Sequence, residues 1–151
     1  MLDWLQRRAG VCAIENRAES WRCNQAICDW ADALYPELPK TSSRNQMRTG
    51  HDEVVLLAQD DVPTYVEKFN PTILRWNRRT DTLGPPAMNI GMSKGTTFDR
   101  VLIFPTKPMQ QYIQSGNPDI LAAREHLYVA VTRARHSVAF VVSRKEANYV
   151  P

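Results

Sequence analysis

The stretch "YVAVTRARH" (128–136), followed by "SVAFVVS" (137–143), joins an apolar run typical of a helix to a run typical of a strand. Two arginines, Arg133 and Arg135, stand at this junction just after Thr132. A guanidinium is planar and always charged, and it binds two phosphate oxygens at once. In α/β folds, phosphates bind where the edge of a sheet meets a helix. The stretch therefore predicts a phosphate site at the edge of an α/β sheet.

The other apolar runs of the chain predict the rest of the fold. We predict strands at 11–15, 53–58, 72–77, 87–91, 100–106 and 137–143, and helices at 24–35, 61–69 and 117–135. Residues 39–53 and 78–86 are rich in polar and turn-forming residues, which predicts surface loops. The strands are continuous apolar runs rather than alternating ones, as is typical of a mostly parallel sheet covered on both faces. Nothing in the sequence indicates a domain boundary, so we predict a single α/β domain over residues 1–151.

The composition is ordinary for a globular domain and mildly basic. The 151 residues carry a net charge of +3, with 43% hydrophobic and 23% charged residues. No apolar run approaches the roughly 20 residues that a membrane helix needs, and the N-terminus lacks the apolar core of a signal peptide. The chain has three cysteines and no CxxC pair: Cys12, Cys23 and Cys28. We interpret them as reduced thiols of a cytoplasmic protein rather than as a zinc site.

Three segments carry a resemblance to a known family. They are "ESWRCNQAICDWADALYP" (19–36), "MNIGMSKGTTFDRVLIFPT" (88–106) and "LYVAVTRARHSVAF" (127–140). Together they resemble the second RecA-like domain of UvrD/Rep-type superfamily 1 DNA helicases, where motifs like "YRS", "AKGLEFD" and "YVAxTRA" follow one another in this order. The resemblance covers roughly residues 11–143. It implies a RecA-like (P-loop NTPase-like) fold and a role in ATP-driven movement along DNA.

The resemblance assigns three residues to ATP. It implies that Arg133 is the arginine finger at the γ-phosphate, although an arginine in this position would also suit the C-terminal end of a helix. It implies that Arg22 contacts the same phosphate, against the alternative of a loop charge before a helix. Trp21 stands where the family has a tyrosine that packs on adenine, and a tryptophan buried in the core is the competing interpretation. Arg135 has no counterpart and is interpreted as a solvated neighbour.

The middle motif, "SKGTTFD" (93–99), departs from the family pattern. Gly95 permits a close approach of backbone to ligand, and the resemblance places it at the nucleotide. The family usually has a glutamate that holds the ribose where this chain has Thr97, which lacks the carboxylate, and the resemblance places Thr97 at the nucleotide. Lys94 suits phosphate, DNA or solvent, and we assign it to DNA.

The resemblance also implies contacts with the DNA backbone. Asn89 falls at a threonine position associated with DNA, and a plain polar residue at a strand end is the alternative. Gly91 replaces a DNA-contacting histidine, while Thr132 is placed with the DNA-contacting residues. The stretch "RWNRR" (75–79) could stack a base and neutralise phosphates, but we favour a solvated exit from a strand.

The sequence lacks two parts that an ATPase needs. It contains no GxxxxGK[ST] phosphate loop, and no acidic pair at a strand end that would bind Mg²⁺. In the family both belong to the first RecA-like domain. We therefore predict that the chain is a fragment, the C-terminal motor half, whose ATP and Mg²⁺ are held mainly by an N-terminal RecA-like domain of the same parent protein.

Two other classes compete with this interpretation. One is a non-enzymatic DNA- or protein-binding module that kept a helicase fold and lost the motor. The other is a nuclease or metal enzyme, but His51, His126 and His136 are scattered and form no pattern of metal ligands. We therefore predict no metal site within the chain itself.

Overall fold

Five strands form one sheet in which every neighbouring pair is parallel, as a computed structural model that describes residues 18–150 shows. A separate parallel pair of short strands precedes it. In chain order the strands of the described residues are β1 (Glu19–Ser20), β2 (Ser42–Ser43), β3 (Val54–Ala58), β4 (Thr72–Arg75), β5 (Met88–Asn89), β6 (Phe98–Phe104) and β7 (Ala134–Val142). The order across the large sheet is β3-β7-β6-β4-β5. The predicted α/β class with a mostly parallel sheet is therefore confirmed.

Four α-helices lie within residues 18–150, and they cover both faces of the sheet. They are α1 (Gln25–Asp32), α2 (Val62–Phe69), α3 (Lys107–Ser115) and α4 (Arg124–Val131). Three short 3₁₀ turns accompany them at Gln59–Asp61, Ile90–Ser93 and Pro118–Ile120. Helices α1, α3 and α4 share one apolar cluster with the sheet, and α2 shares a second cluster on the opposite face. None of the described helices combines the length and apolar character that a membrane crossing requires.

Strand β7, which lies between β3 and β6 in the sheet, explains why the apolar runs are continuous. Val138 and Phe140 face the cluster of α1, α3 and α4, whereas Ala139 and Val141 face the cluster of α2. Both faces of the strand are buried, so both sets of alternating side chains must be apolar. Phe140 is fully buried, and its ring stacks on Trp30 of α1 at 4.7 Å between ring centroids.

The predicted helix at 117–135 is wrong over more than half its length. Only Arg124–Val131 is α-helical, and Asn117 instead caps the 3₁₀ turn through its side chain, which accepts from the amide of Asp119. The backbone at Leu121 is extended, which separates this turn from α4. At the other end, Ala134 pairs with Phe98 of β6 and is fully buried. Sheet pairing therefore overrides helix propensity from Ala134 onward.

Helix α3 was not predicted at all, although its ends carry ordinary signals. Pro108 lies in its first turn, and Gly116 ends it at a φ of +68°, a left-handed conformation that favours glycine. The buried side chains of α3 are Met109 and Tyr112. Because polar residues dominate the segment, its apolar stripe is narrow.

Other predicted elements are present with shifted ends. Helix 24–35 is α1 with Asn24 as its cap, and helix 61–69 is α2. The strands predicted at 53–58, 72–77, 87–91, 100–106 and 137–143 correspond to β3, β4, β5, β6 and β7. The predicted loop 39–53 contains β2, which pairs with β1. The strand predicted at 11–15 and Cys12 lie outside the described residues.

Candidate functional site

Arg22 and Arg133 meet at the edge of the sheet that is formed by the amino-terminal ends of the strands, beside the first residues of β6 and β7. Arg22 lies in the turn before α1, and Arg133 lies between α4 and β7. The Arg22 guanidinium donates from Nη1 to the carbonyl of Thr132 at 3.1 Å. Both arginines line one cavity of about 230 Å³, which we call the arginine cleft. Two segments separated by 110 residues in sequence therefore present their guanidiniums to one space.

Hydrogen bonds to the backbone hold Arg133 in place. Its Nε donates to the carbonyl of Val129 at 3.2 Å, and its Nη1 donates to the carbonyl of Thr96 at 3.3 Å. Burial, followed by the charge of Arg22, lowers the pKa of Arg133 from its ordinary value. Two like charges share the cleft, and an anion placed between them relieves their repulsion.

The acidic side chains that line the arginine cleft have polar partners of their own, and its thiols carry no charge. Glu19 forms an ion pair with Arg44. Asp32 accepts hydrogen bonds from the amide and the hydroxyl of Thr41 at 2.6 and 2.7 Å. Both described cysteines, Cys23 and Cys28, are free thiols at the cleft. Burial raises the pKa of both, that of Cys28 to about 11, so they stay neutral at physiological pH.

The loop before β6 lies directly beside Arg133. The amide of Phe98 donates to the Arg133 carbonyl at 2.9 Å, which brings Gly95 and Thr97 to the same edge. Gly95 has a φ of +82°, a left-handed conformation that suits glycine. Lys94 is exposed on this loop. The structure therefore brings the predicted nucleotide residues of this motif next to the predicted arginine finger.

Two further predicted residues lie at this edge. Trp21 is 79% exposed, so the interpretation as a core tryptophan is wrong. Thr132 uses its hydroxyl to donate to the carbonyl of Tyr128 at 2.8 Å, at the end of α4. Its own carbonyl accepts from Arg22. Thr132 thus lies at the arginine cleft, apart from another position that was predicted to contact DNA and that ends a strand.

That other position, Asn89, lies at the opposite edge of the sheet. It ends β5, and because all strands are parallel, β4 and β5 end on the side away from the arginine cleft. Its Oδ1 accepts from Arg75 Nε at 3.3 Å. Asn89 and Arg75 line a cavity of about 520 Å³ with Arg78, Met88 and other residues. We call it the carboxyl groove, because it lies at the carboxyl-terminal ends of β4 and β5. The predicted DNA residues are thus divided between the two edges.

Two arginines of the carboxyl groove come from the stretch "RWNRR", for which we favoured a solvated exit from a strand over a role in stacking bases and neutralising phosphates. Arg75 is half-buried against Asn89. Arg78 is exposed and lines the same groove. The alternation of an aromatic residue with arginines directly after a strand was the signal for the alternative, and the structure places both arginines beside Asn89.

A buried polar cluster lies on the α2 face, away from both cavities. His51 Nε2 and the Tyr65 hydroxyl are 2.7 Å apart, and the His51 ring stacks on Phe69. Burial, with a further contribution from Arg100, lowers the pKa of His51, and burial raises the pKa of Tyr65 to about 12. Within residues 18–150, no group of three or more histidine, cysteine or acidic side chains is arranged to hold a metal ion.

Solved structures of similar fold are found for this chain, whereas family models and curated proteins give no match. No protein-family model matches the chain, and no curated protein matches it. The PRRSV helicase superimposes with a TM-score of 0.50 and 28% identity over 82% of this chain, and methylated PRRSV nsp10 (helicase) with 0.51 and 27% over 84%. Arterivirus nonstructural protein 10 (helicase), solved in complex with DNA, gives a TM-score of 0.52 at 22% identity over 83%, a likeness of fold alone.

The chain covers between 22% and 25% of the length of these three helicases. The matches do not single out the UvrD/Rep type. The five-stranded parallel sheet with helices on both faces is that of a RecA-like domain. At 28% and 27% identity, the two PRRSV structures support a likeness of this chain to a part of a helicase.

Proposed function

We propose that the chain is the C-terminal motor half of an ATP-dependent DNA helicase of the UvrD/Rep type. One observation carries the proposal: Arg22 and Arg133, from segments far apart in sequence, line a single cleft. In the proposal they reach the γ-phosphate of an ATP that an N-terminal RecA-like domain of the same parent protein holds with its Mg²⁺. The sequence of this chain contains no phosphate loop of its own.

The chemistry of the cleft suits phosphoryl transfer. Charge builds up on the transferring oxygens as the bond to the leaving group breaks, and fixed guanidiniums stabilise that charge. Arg133 is held by two backbone carbonyls, so little reorganisation is needed when the phosphate arrives. In the proposal, the surface between α4 and β7 that carries Arg133 faces the partner domain. In the proposal Arg133 is the finger and Arg22 assists it.

The base and ribose of ATP have candidate contacts at the same edge. The exposed indole of Trp21 directly precedes Arg22 and offers a face for stacking on adenine. Gly95 leaves open space where a side chain would otherwise project. Thr97 offers a hydroxyl, where the resemblance would lead us to expect a carboxylate. These residues complete one wall of a nucleotide site.

The carboxyl groove is the proposed surface for the DNA backbone. Arg75 and Arg78 line it with positive charge, and the Asn89 carboxamide nitrogen remains free to donate while its oxygen accepts from Arg75. Met88 and Met92 add apolar surface suited to bases. Opening and closing of the cleft between two RecA-like domains would then move this groove along the strand. Lys94 and Thr132 remain proposed contacts from the other edge.

The arginine cleft is tested with inorganic pyrophosphate and ATP as probes. We expect both to bind the 151-residue chain weakly, because one wall of a site gives only part of the contact energy. Arg22→Ala and Arg133→Ala should each weaken binding by about tenfold or more, since a hydrogen bond to a charged group is worth about 1.5–3 kcal/mol. Titrations followed by ¹H–¹⁵N NMR through the amides of the cleft would measure this.

Arg135→Ala is the matched control for that titration. Arg135 is exposed and pairs with Asp99 at 3.3 Å, so its loss should leave binding of the probes unchanged. Equal binding by the wild-type chain and both cleft variants would contradict the proposal. That result would favour the alternative, a non-enzymatic DNA- or protein-binding module derived from a helicase fold.

The carboxyl groove is tested with single-stranded DNA. The double variant Arg75→Ala/Arg78→Ala should weaken binding and lower the slope of log affinity against log salt by about 0.7 for each phosphate that the variant no longer neutralises. Fluorescence anisotropy of a labelled oligonucleotide at several salt concentrations gives both quantities. Arg79→Ala is the control, because Arg79 is exposed and does not line the groove. An unchanged slope in the double variant would exclude the groove as the DNA surface.

A further inference from the structure

Two asparagine side chains connect the segments that carry the arginines of the cleft. Asn24 is 2% exposed, and its Nδ2 donates to the carbonyls of Asp52 and His136 at 2.8 and 2.6 Å. Its backbone amide also donates to the carbonyl of Arg135 at 3.2 Å. The residue thus ties the start of α1 to the start of β7. Arg22 lies two residues before Asn24 in the chain.

Asn45 makes the second connection from the loop after β2. Its Nδ2 donates to the carbonyl of Arg22 at 2.8 Å and to the carbonyl of Arg135 at 3.2 Å. One amide group therefore bridges the backbones of the two arginine segments. We call Asn24 and Asn45 together the asparagine clamp.

Each asparagine also accepts a hydrogen bond that a carboxylate could accept equally well. Asn24 Oδ1 accepts from the amide of Ile27 at 3.0 Å and caps α1. Asn45 Oδ1 accepts from the amide of Met47 at 3.0 Å. The acceptor half of each side chain shapes its local turn, whereas the donor half joins distant segments. Asparagine differs from aspartate at these positions in its donor half and in its lack of charge.

We propose that Asn24 and Asn45 are positioning residues that fix the spacing of the Arg22 and Arg133 guanidiniums for a phosphate group. The inference rests on the proposed function of the arginine cleft. Two guanidiniums in one cleft repel each other, so the segments that carry them must be held together by other contacts. The clamp supplies these contacts through neutral amides, which add no charge that would compete with the phosphate.

The test replaces each asparagine by aspartate in the 151-residue chain. Asn24→Asp keeps the helix cap, because aspartate caps as well as asparagine, and Asn45→Asp keeps the acceptor for Met47. Both variants lose the donated bonds. We expect each to weaken binding of inorganic pyrophosphate by about tenfold or more, since charged hydrogen bonds to the phosphate weaken steeply when their geometry is lost. NMR titration measures the affinity, and urea unfolding measures stability in the same samples.

Two readouts separate positioning from a structural role. Ile27→Val shortens a buried side chain of α1 and keeps the backbone amide that donates to Asn24, so it should lower stability and leave pyrophosphate affinity unchanged. In the spectra without pyrophosphate, the amide resonances of Arg22 and Arg133 should shift in the aspartate variants and stay in place in Ile27→Val. Equal losses of affinity in Ile27→Val and Asn24→Asp would overturn the positioning role.

The pattern across variants also separates this inference from the proposed function. If Arg22→Ala and Arg133→Ala weaken pyrophosphate binding while both aspartate variants bind normally, the clamp is refuted and the arginine cleft stands. If the alanine variants bind normally, the phosphate role of the cleft fails and the inference fails with it. Weaker binding in all four variants that persists at high salt, where the added negative charge is screened, with Ile27→Val unaffected, is the result that supports the clamp.

Discussion

Arg133→Ala in the full-length helicase of our proposal should lower DNA-stimulated ATP turnover by about 10³–10⁵-fold, the range typical of arginine fingers. Binding of ATP and DNA should change far less, because an arginine aimed at developing charge stabilises the transition state more than the ground state. The guanidinium already lies against the Val129 and Thr96 carbonyls beside Arg22 in this chain. Steady-state ATPase assays beside equilibrium binding would measure the two effects.

Stability and a neighbouring arginine provide the controls. Losing the two hydrogen bonds of Arg133 should cost about 1 kcal/mol of unfolding free energy for each bond, so the domain should stay folded. Arg135→Ala should be mild in turnover, because this exposed side chain forms only a surface ion pair with Asp99. Near-normal turnover in Arg133→Ala, or a larger loss in Arg135→Ala, would show that the finger is assigned to the wrong residue.

Phe140→Ala should give a larger loss of stability than any of the substitutions at the arginine cleft or the carboxyl groove. Phe140 lies fully buried in the interior strand β7 and stacks on Trp30. Truncation of a buried phenylalanine costs about 3–5 kcal/mol, a large share of the roughly 5–15 kcal/mol that stabilises a typical domain. Urea unfolding followed by circular dichroism would measure it. Phe140→Leu, which keeps much of the volume, should cost about 1.5 kcal/mol or less, and similar losses for both would contradict this packing.

The fold was predictable where burial alone sets the pattern. Strand β7 and the second half of β6 are buried on both faces, and β3 is buried on one face and half-buried on the other, so their continuous apolar runs indicate a parallel sheet. The same reasoning failed at 117–135, where a run rich in helix formers contains a 3₁₀ turn, an extended break and the first residues of β7. Helix α3 escaped notice because only a narrow stripe of it faces the core.

The grouping of the candidate site was predictable only where the resemblance joins segments that lie far apart in sequence. The resemblance placed Arg22 and Arg133 in one site, and they do line one cleft. It could not show that Asn89 and Lys94 lie at opposite edges, because the short 3₁₀ turn between them carries the chain across the sheet. The Asn45 bridge was equally hidden, since its two partners are carbonyls whose positions depend on the folded backbone.

The position of β7 has a consequence for how the chain folds while it is being synthesised. Every other strand of the large sheet is synthesised before β7, yet β7 lies between β3 and β6. Within that sheet β3 pairs only with β7, so a nascent chain that has not reached Ala134 leaves the edge of β3 and one edge of β6 without partners. Unpaired strand edges and exposed apolar faces are what chaperones bind and what drives aggregation. Pairing of β7 is therefore the step that covers these edges of β3 and β6 in the large sheet.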